Sequence, residues 1–508
     1  ICAGVKKFDL HCEIVALLLL FLLALIVRFL YFPDNVYFAF DQARDFYSGI
    51  DILKGDLRLI GPPSGASDKL FPGPLSLYMY SSVMLLFGKN PAVFSIFFRI
   101  YNALGVILVF LIASKVFDKK VGILSSILYA ISYEQSQYAL FMSHQPLAIL
   151  PVLLLYLGLT MLIFEKKARG LVISALGLGL SIQFHYVYIF LLPTVFIILL
   201  FYRKKLPKLK FKNLLLVTAV FVAATLTYVI SEIKFGFRGL STILASSSSA
   251  FFHTEETLYA VSRFIRDNFW ANESLTFYIL ATIVVIFAYF MVKKDLRNKS
   301  VFLLLWFIGG IMPYLITGTK GYYYSAGASI SLLILFSFLV VKIYFKFPVI
   351  SVLLFLFVVA NNISLIKTQN PKGPNLDIII QPGMILTKET KALDYIYQNA
   401  NGENFAVRAL TVPLNINTTW SYLFEWYGKG KYGYLPVWSE KPAEGFPGNL
   451  PYKTDRSKLP ETQFVIIEPQ DCIKRHDKEK FFSEESYFTG LVEEKDFGTF
   501  QVQKRRKI

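Results

Sequence analysis

Long apolar runs separated by short, mostly basic turns organise this 508-residue chain. The runs predict spanning helices at 12–32, 91–114, 121–136, 146–164, 170–184, 186–202, 213–231, 275–292, 300–317, 322–341 and 347–366. A helix crosses the hydrocarbon core in roughly 20 residues, so 170–202 is read as two spans with the turn at His185-Tyr186. The run from Glu13 to Phe32 has no small-residue cleavage site and exceeds a signal-peptide core, so it stays as a spanning helix. The pattern is that of an all-α polytopic membrane protein with about eleven transmembrane helices.

Residues 74–88 are apolar but short, which suggests an interfacial segment. Charge parity supports this. With Lys6 and Lys7 cytoplasmic and 74–88 not crossing, five basic loops fall inside: Lys115/Lys119/Lys120, Lys166/Lys167/Arg169, Arg203 to Lys212, Lys293/Lys294/Arg297/Lys299 and Lys342/Lys346. The two long outer loops are then 33–90 and 232–274, within a membrane domain of residues 1–367. Loops of this length usually serve a purpose, so the outer face is the expected working face. Ser246–Ser249 reads as a flexible piece of the second loop, suited to covering a site.

Beyond 367 the period changes. Residues 376–508 are polar and turn-rich, with strand-like runs at Phe405–Leu410 and Phe464–Glu468. A helix capped by Thr387 is predicted to Ala400, and a strand pair at Tyr487–Glu493 and Gly498–Gln503. This is a small extracytoplasmic α/β domain. Its aromatic cluster (Trp420, Trp426, Tyr427, Tyr432, Tyr434, Trp438) reads as a mini-core or as a sugar- or peptide-stacking surface.

Composition agrees with the pattern: 55% hydrophobic, 16% aromatic and mean hydropathy +0.50. The net charge of +17 lies largely in the short loops, so membrane topology accounts for it better than nucleic acid does. Cys2, Cys12 and Cys472 give no zinc pattern and no disulfide framework. No cofactor is indicated, and no metal ligand set stands out.

The candidate chemistry starts just past the first span, at Asp41-Gln42-Ala43-Arg44-Asp45. In a helix Asp41, Arg44 and Asp45 share one face. A carboxylate at the water–lipid boundary can take a proton from an acceptor hydroxyl. Asp41 is the first choice for that base and Asp45 the alternative. A guanidinium can grip a leaving phosphate in a bidentate way, which suits Arg44. Arg263 and Arg266 in the second outer loop, and Lys320 with Tyr322, are further phosphate candidates. Each of them, and the Asp41–Arg44 pair, also reads as a plain interfacial anchor or surface ion pair. Glu134, His144 and His185 are candidates for substrate contact, His185 equally as an interfacial histidine in a wet turn. Arg28 reads as snorkelling outward, and Glu232 with Lys234 as a local ion pair.

One span leads to an outer Asp-x-Ala-Arg helix, then to an interfacial Pro-x-Pro-Leu-Ser-Leu-Tyr segment (Pro72 to Tyr78) ending in Leu-Phe-Gly, a span bearing Arg99, and a Lys-Val-Phe-Asp-Lys-Lys turn. This order of motifs over residues 38–165 resembles the C-type, polyprenyl-phosphate-sugar-dependent glycosyltransferases, which include protein O-mannosyltransferases and lipid A aminoarabinose transferases. The resemblance implies a membrane enzyme moving a sugar from a polyprenyl-phosphate donor to a glycan, lipid or protein acceptor on the outer face, with Asp41 in acceptor activation and Arg44 on the donor phosphate. It departs from the family pattern at Gln42, where relatives often have Glu, and at Pro72-Gly73, where aminoarabinose transferases have Glu-Lys. It departs again near Ser143-His144-Gln145, where many relatives carry an Asp. The missing acids lean against a divalent metal, and Glu134 is a candidate substitute for the last. The alternative class is a secondary transporter of a small or lipid-linked solute, which favours paired halves and midplane charges; the acids here cluster at the outer edge.

The topology is testable by cysteine labelling. A cysteine placed at Lys208 should stay unlabelled by an impermeant reagent applied to intact cells. Robust labelling would invert the assignment of the loops.

Overall fold

The structure, a computed structural model, describes residues 10–63, 70–242, 252–325, 327–375, 379, 381–469 and 473–508. Each predicted apolar run falls on helix, because runs of Leu, Ile, Val and Phe satisfy their backbone polar groups internally where no water can. Among the described residues five helices are long and apolar enough to cross a membrane by length and composition: His11–Phe29, Pro91–Val116, Gln145–Ile163, Lys294–Thr317 and Pro348–Lys372. Phe211–Ala224 and Leu226–Lys234 qualify as a sixth only as a pair, bent by 64° at Thr225. Arg169–Phe184, Tyr186–Phe201, Thr276–Val292 and Ala328–Tyr344 are shorter apolar helices, as is Leu75–Phe87 at the predicted interfacial segment. The predicted 121–136 run is divided at Ser132, whose hydroxyl caps the next helix by accepting from the Gln135 N–H at 3.2 Å. Tyr322 lies in a short turn, Tyr322–Ser325, ahead of the last but one apolar helix.

The chain forms two compact units. One comprises Ile1–Leu30, Arg58–Ser76 and Phe97–Asn370; the other comprises Tyr31–Leu57, Leu77–Ile96 and Pro371–Ile508. The outer Asp-x-Ala-Arg helix and most of the interfacial helix therefore pack with the C-terminal α/β part.

In the first unit small residues bring helices together. A Cβ on Gly177 would stand 2.4 Å from the Leu155 nitrogen, and one on Gly158 would stand 2.5 Å from the Gly170 carbonyl oxygen. Ser174 donates to the Leu155 carbonyl at 3.1 Å. With no water to drive association, close backbone approach and such hydrogen bonds hold membrane helices together. Arg28 does not snorkel. It is 1% exposed and donates to the carbonyls of Ala130 (2.6 Å) and Tyr129 (2.9 Å) and to Asn102 Oδ1 (2.8 Å). The open carbonyls at the end of the Lys119–Ile131 helix attract a cation more strongly than the interface does. Arg99, also buried, donates to the Arg28 carbonyl. Glu232 accepts the Leu240 N–H at 3.1 Å instead of pairing with Lys234, because the chain turns back there and leaves that backbone donor open.

The second unit holds a five-stranded sheet in the order β2-β1-β3-β5-β4. The strands are β1 (Ala406–Leu410), β2 (Val437–Trp438), β3 (Thr462–Ile467), β4 (Thr489–Asp496) and β5 (Gln501–Lys507). β2, β1 and β3 are parallel, and the β4–β5 hairpin joins β3 antiparallel. The last two strands start later than predicted because Arg475–Phe488 is a helix that absorbs Tyr487. The Leu386–Ala400 helix starts one residue before Thr387, with Ile385 at its cap position, so Thr387 lies inside the first turn. Trp420 and Trp438 are buried, as a mini-core requires. Tyr427 and Tyr432 are half-buried and donate to Asp394 at 3.0 and 2.8 Å.

Two carboxyls lie in the core of this unit. Glu468, 1% exposed, accepts from Val412 N (2.7 Å), Gln381 Nε2 (2.7 Å) and Trp420 Nε1 (2.9 Å). Burial outweighs these three bonds and pushes Glu468 up to about 7. Glu389 is fully buried with neither carboxyl oxygen bonded among the described residues, and burial, then the Glu468 charge, hold it well above the ordinary range.

Two outcomes follow. Gly177→Val should cost about 3 kcal/mol or more, because the clash is with backbone, whereas Gly430→Ala, with nothing within 4 Å, should be neutral. Thermal unfolding in detergent separates them. The second concerns pH. The folded state keeps protons that the unfolded chain releases above 4.5, so stability should fall as pH rises from 4.5 to about 7, by on the order of 3 kcal/mol from Glu468 alone. Glu389→Gln should make that decline shallower. A profile that instead rises over this window would contradict the burial of the two carboxyls.

Candidate functional site

The Phe40–Leu53 helix carries the first group of candidates. Ala39, extended at φ −142°, has no side-chain acceptor for capping. Gln42 supplies a partner from inside the helix, its Oε1 accepting the Ala39 N–H at 3.2 Å. Gln381 Oε1 accepts the Phe40 N–H at 3.1 Å, and Gln381 is itself held by Glu468. The first turn of this helix is thus fixed by a residue 341 positions away.

The predicted face forms. Arg44 donates from Nη1 to Asp41 Oδ1 at 2.6 Å, and from Nε and Nη2 to Asp45 Oδ1 at 2.9 and 2.8 Å. The three side chains differ in access: Asp41 is 49% exposed, Arg44 11% and Asp45 0%. Burial pushes the Asp45 carboxyl up to about 6; Arg44 pulls it down and Asp41 raises it again. Burial disfavours the Arg44 charge, but the two carboxylates outweigh it and keep the guanidinium above its ordinary value. Arg44 has five N–H donors, of which three are engaged here, so two are left for an incoming anion. Asp41 is the most solvent-accessible of the three.

The rest of the helix is clamped by its own unit. Phe46 packs against Phe38, Tyr80, Phe94 and Tyr422 with ring centroids 4.3–5.5 Å apart. Tyr47 donates to Glu425 at 2.9 Å, and Ser81 to the Gly49 carbonyl at 3.2 Å. Gln381, Glu468, Glu425 and Tyr422 escaped sequence reasoning, since no local pattern links them to residues 40–53.

The first unit brings together a second group. Glu134, 2% exposed, accepts from Asn268 at 2.9 Å and from Ser329. Tyr322 donates to Asp267 at 2.8 Å, and Arg266 binds the other Asp267 oxygen at 2.9 Å. Arg263 is 2% exposed, lies 4.5 Å above the Tyr322 ring and donates to the Lys320 carbonyl (3.2 Å) and the Tyr314 hydroxyl (3.1 Å). Arg263 and Arg266 therefore do not present one face: the first points into the unit, the second is 30% exposed. The Lys320 side chain is exposed.

His144 and His185 form a third pair, stacked at 5.6 Å and 5°. His185 is 2% exposed, not wet, because Tyr186 and Tyr324 pack on it at 4.4 and 4.6 Å. Its Nδ1 accepts the Val187 N–H at 3.2 Å, which places a proton on Nε2, and burial pushes it down to about 3, so it is neutral. At Gly73, where relatives of the resembled type carry Lys, a Cβ would stand 1.9 Å from Gln183 Oε1. A side chain at that position would require the Gln183 amide to move, and it would still meet the Gln183 carbonyl oxygen at 2.9 Å. Ser246–Ser249 lie outside the described residues.

The same unit contains a largely apolar cavity of about 690 Å³ lined by residues including Ile60, Phe71, Tyr186, Phe221 and Tyr228. Tyr228 closes one wall by donating to the Phe71 carbonyl at 2.9 Å. Among the described residues no group of three His, Cys, Asp or Glu side chains could hold a metal ion.

Residues 72–229 match the family model of dolichyl-phosphate-mannose-protein mannosyltransferase. No curated protein sequence matches the chain. Among solved structures, ArnT from Cupriavidus metallidurans bound to undecaprenyl phosphate is similar over 98% of both chains, with TM-score 0.61 and 10% identity. The Archaeoglobus fulgidus oligosaccharyltransferase tethered to an acceptor peptide is similar over 84% of this chain and 64% of its own, with TM-score 0.50 and 14% identity. Residues 72–229 of this integral membrane chain are thus similar to that mannosyltransferase family, and the chain as a whole shares the ArnT fold.

Proposed function

We propose that the protein transfers a sugar from a polyprenyl-phosphate donor to an acceptor hydroxyl on the extracytoplasmic face. The acceptor is a glycan, lipid or protein, and the N-terminus is cytoplasmic. The observation that carries this reading is the graded burial on one helix face: a reachable carboxylate, Asp41, joined through Arg44 to a buried one, Asp45. The similar ArnT structure holds undecaprenyl phosphate, and the matched family is named for a dolichyl-phosphate sugar, which supports the donor class. The apolar cavity of about 690 Å³ is suited to part of a prenyl chain.

In the reaction the acceptor oxygen attacks the anomeric carbon from the side opposite the phosphate. The carbon–oxygen bond to phosphate breaks, the acceptor proton passes to Asp41, and the configuration inverts. Charge grows on the departing lipid phosphate, where prepositioned donors are most effective. The two remaining N–H groups of Arg44 supply such donors, while Asp45 keeps the guanidinium plane from turning. Arg263, Arg266, Lys320 and Tyr322 are the phosphate-binding candidates of the first unit. Glu134, His144 and His185 shape the surroundings of bound substrate. The same fold and matched family favour transfer over the transporter alternative.

Asp41→Asn keeps the shape but cannot take a proton, so transfer from a radiolabelled polyprenyl-phosphate sugar should fall by ~10²–10⁴-fold with donor binding retained. Arg44→Ala should weaken donor use more than acceptor use, and Arg44→Lys should restore only part, since an ammonium cannot make the forked contact. Asp45→Asn should be milder than Asp41→Asn. Near-normal turnover in Asp41→Asn with a dead Asp45→Asn would exchange the two roles; activity in both would remove this helix from the chemistry.

A further inference from the structure

The basic loops of the first unit are not alike. Lys115 pairs with Glu165 at 2.6 Å, Lys167 with the same glutamate at 3.1 Å, and Lys119 with Glu13. These lysines have local counter-charges, as dispersed interfacial anchors can. The turn after the Leu191–Phe201 helix behaves differently. Arg203, Lys204 and Lys205 line one concavity of about 620 Å³ together with Lys294 and Arg297 from the start of another helix. No acidic residue lines it. Among the described residues none of the five cations forms an ion pair, and neither does the neighbouring Asp295.

The two arms are fastened to each other. Tyr202, 1% exposed, donates its hydroxyl to the Asn298 carbonyl. The cations are therefore held close instead of spreading apart as like charges in water would. Directly before them the helix presents bare apolar surface: Phe196 is 66% exposed, Leu200 52% and Phe201 45%. A charged concavity at the foot of an apolar face fits a ligand that is anionic at one end and hydrocarbon at the other.

We propose that Arg203, Lys204, Lys205, Lys294 and Arg297 form a binding site for the phosphate headgroup of an anionic phospholipid, whose acyl chains lie along Phe196, Leu200 and Phe201. Concave size separates this from a lone ion site: the space admits a phosphodiester with its glycerol. Basic pockets between membrane helices at a bilayer surface are a recognised way to hold such headgroups. The site is separate from the sugar-transfer chemistry and does not rest on it.

The test is native mass spectrometry of the full chain, purified in detergent and titrated with equal amounts of phosphatidylglycerol or phosphatidylcholine. The variant Arg203→Gln/Lys204→Gln/Lys205→Gln removes one arm. Lys208→Gln/Lys210→Gln/Lys212→Gln removes the same charge from exposed lysines just downstream, at the start of the next helix, that do not line the concavity. Wild type and the charge-matched control should retain phosphatidylglycerol in preference to phosphatidylcholine, and the pocket variant should lose that preference by about tenfold. Lys294→Gln/Arg297→Gln, on the other arm, should reproduce the loss, which guards against a local folding defect in the first variant. Equal losses in the pocket variant and the control would reduce the effect to net charge and overturn the site. So would a wild type with no preference. Displacement of the lipid by inorganic phosphate at matched concentration would make it a free-anion site and overturn the lipid assignment.

Discussion

A carboxylate with no access to water needs a cation beside it, and Asp45 is such a carboxylate. Removing one partner from a buried ion pair typically costs about 3–5 kcal/mol, because the other charge is stranded. Asp45 therefore fixes Arg44, which meets it through two donors on one oxygen. Arg44 in turn draws Asp41 in from the half-exposed edge of the helix. The order of burial gives three ionisable side chains in five residues different work. The innermost holds the guanidinium, the middle one keeps two N–H groups unused, and the outermost is open to solvent.

That arrangement is only as exact as the helix that bears it. Phe40–Leu53 is short, and short helices are marginal without tertiary support. The support comes from the C-terminal part of the same compact unit. Gln381 takes the Phe40 N–H, Glu425 takes the Tyr47 hydroxyl, and Tyr422 joins the aromatic cluster around Phe46. Glu468 anchors Gln381 while sitting at the end of β3, so the register of the sheet is passed to the first turn of the candidate catalytic helix. The chain beyond residue 370 thus has a structural part in the candidate site.

Much of this was legible from local pattern. Apolar periodicity located the apolar helices, because helix formation in lipid is a property of each segment, although among the described residues five of them, not eleven, are long and apolar enough to cross a membrane. The i, i+3, i+4 spacing put Asp41, Arg44 and Asp45 on one face, and β1 and β3 emerged close to their predicted bounds. What escaped depends on distant partners. Nothing near residue 40 announces Gln381 or Glu468. Arg28 read as snorkelling because its inward target, the open carbonyls after Tyr129, is about a hundred positions away. His185 read as wet because a turn between apolar runs is usually exposed, and only the tyrosines folding over it exclude water. The breaks at Ser132 and Thr225 fall inside apolar runs, where composition is blind to a change of direction.

The central claim is the donor class, and it is open to a direct measurement. The purified protein, supplied with a panel of polyprenyl-phosphate sugars and, separately, the matching nucleotide sugars, can be followed by the release of polyprenyl phosphate. The account predicts that at least one lipid-linked donor is consumed, with polyprenyl phosphate and transferred sugar formed in equal amounts, and that no nucleotide sugar substitutes. Transfer from a nucleotide sugar with the lipid donors left intact would contradict it.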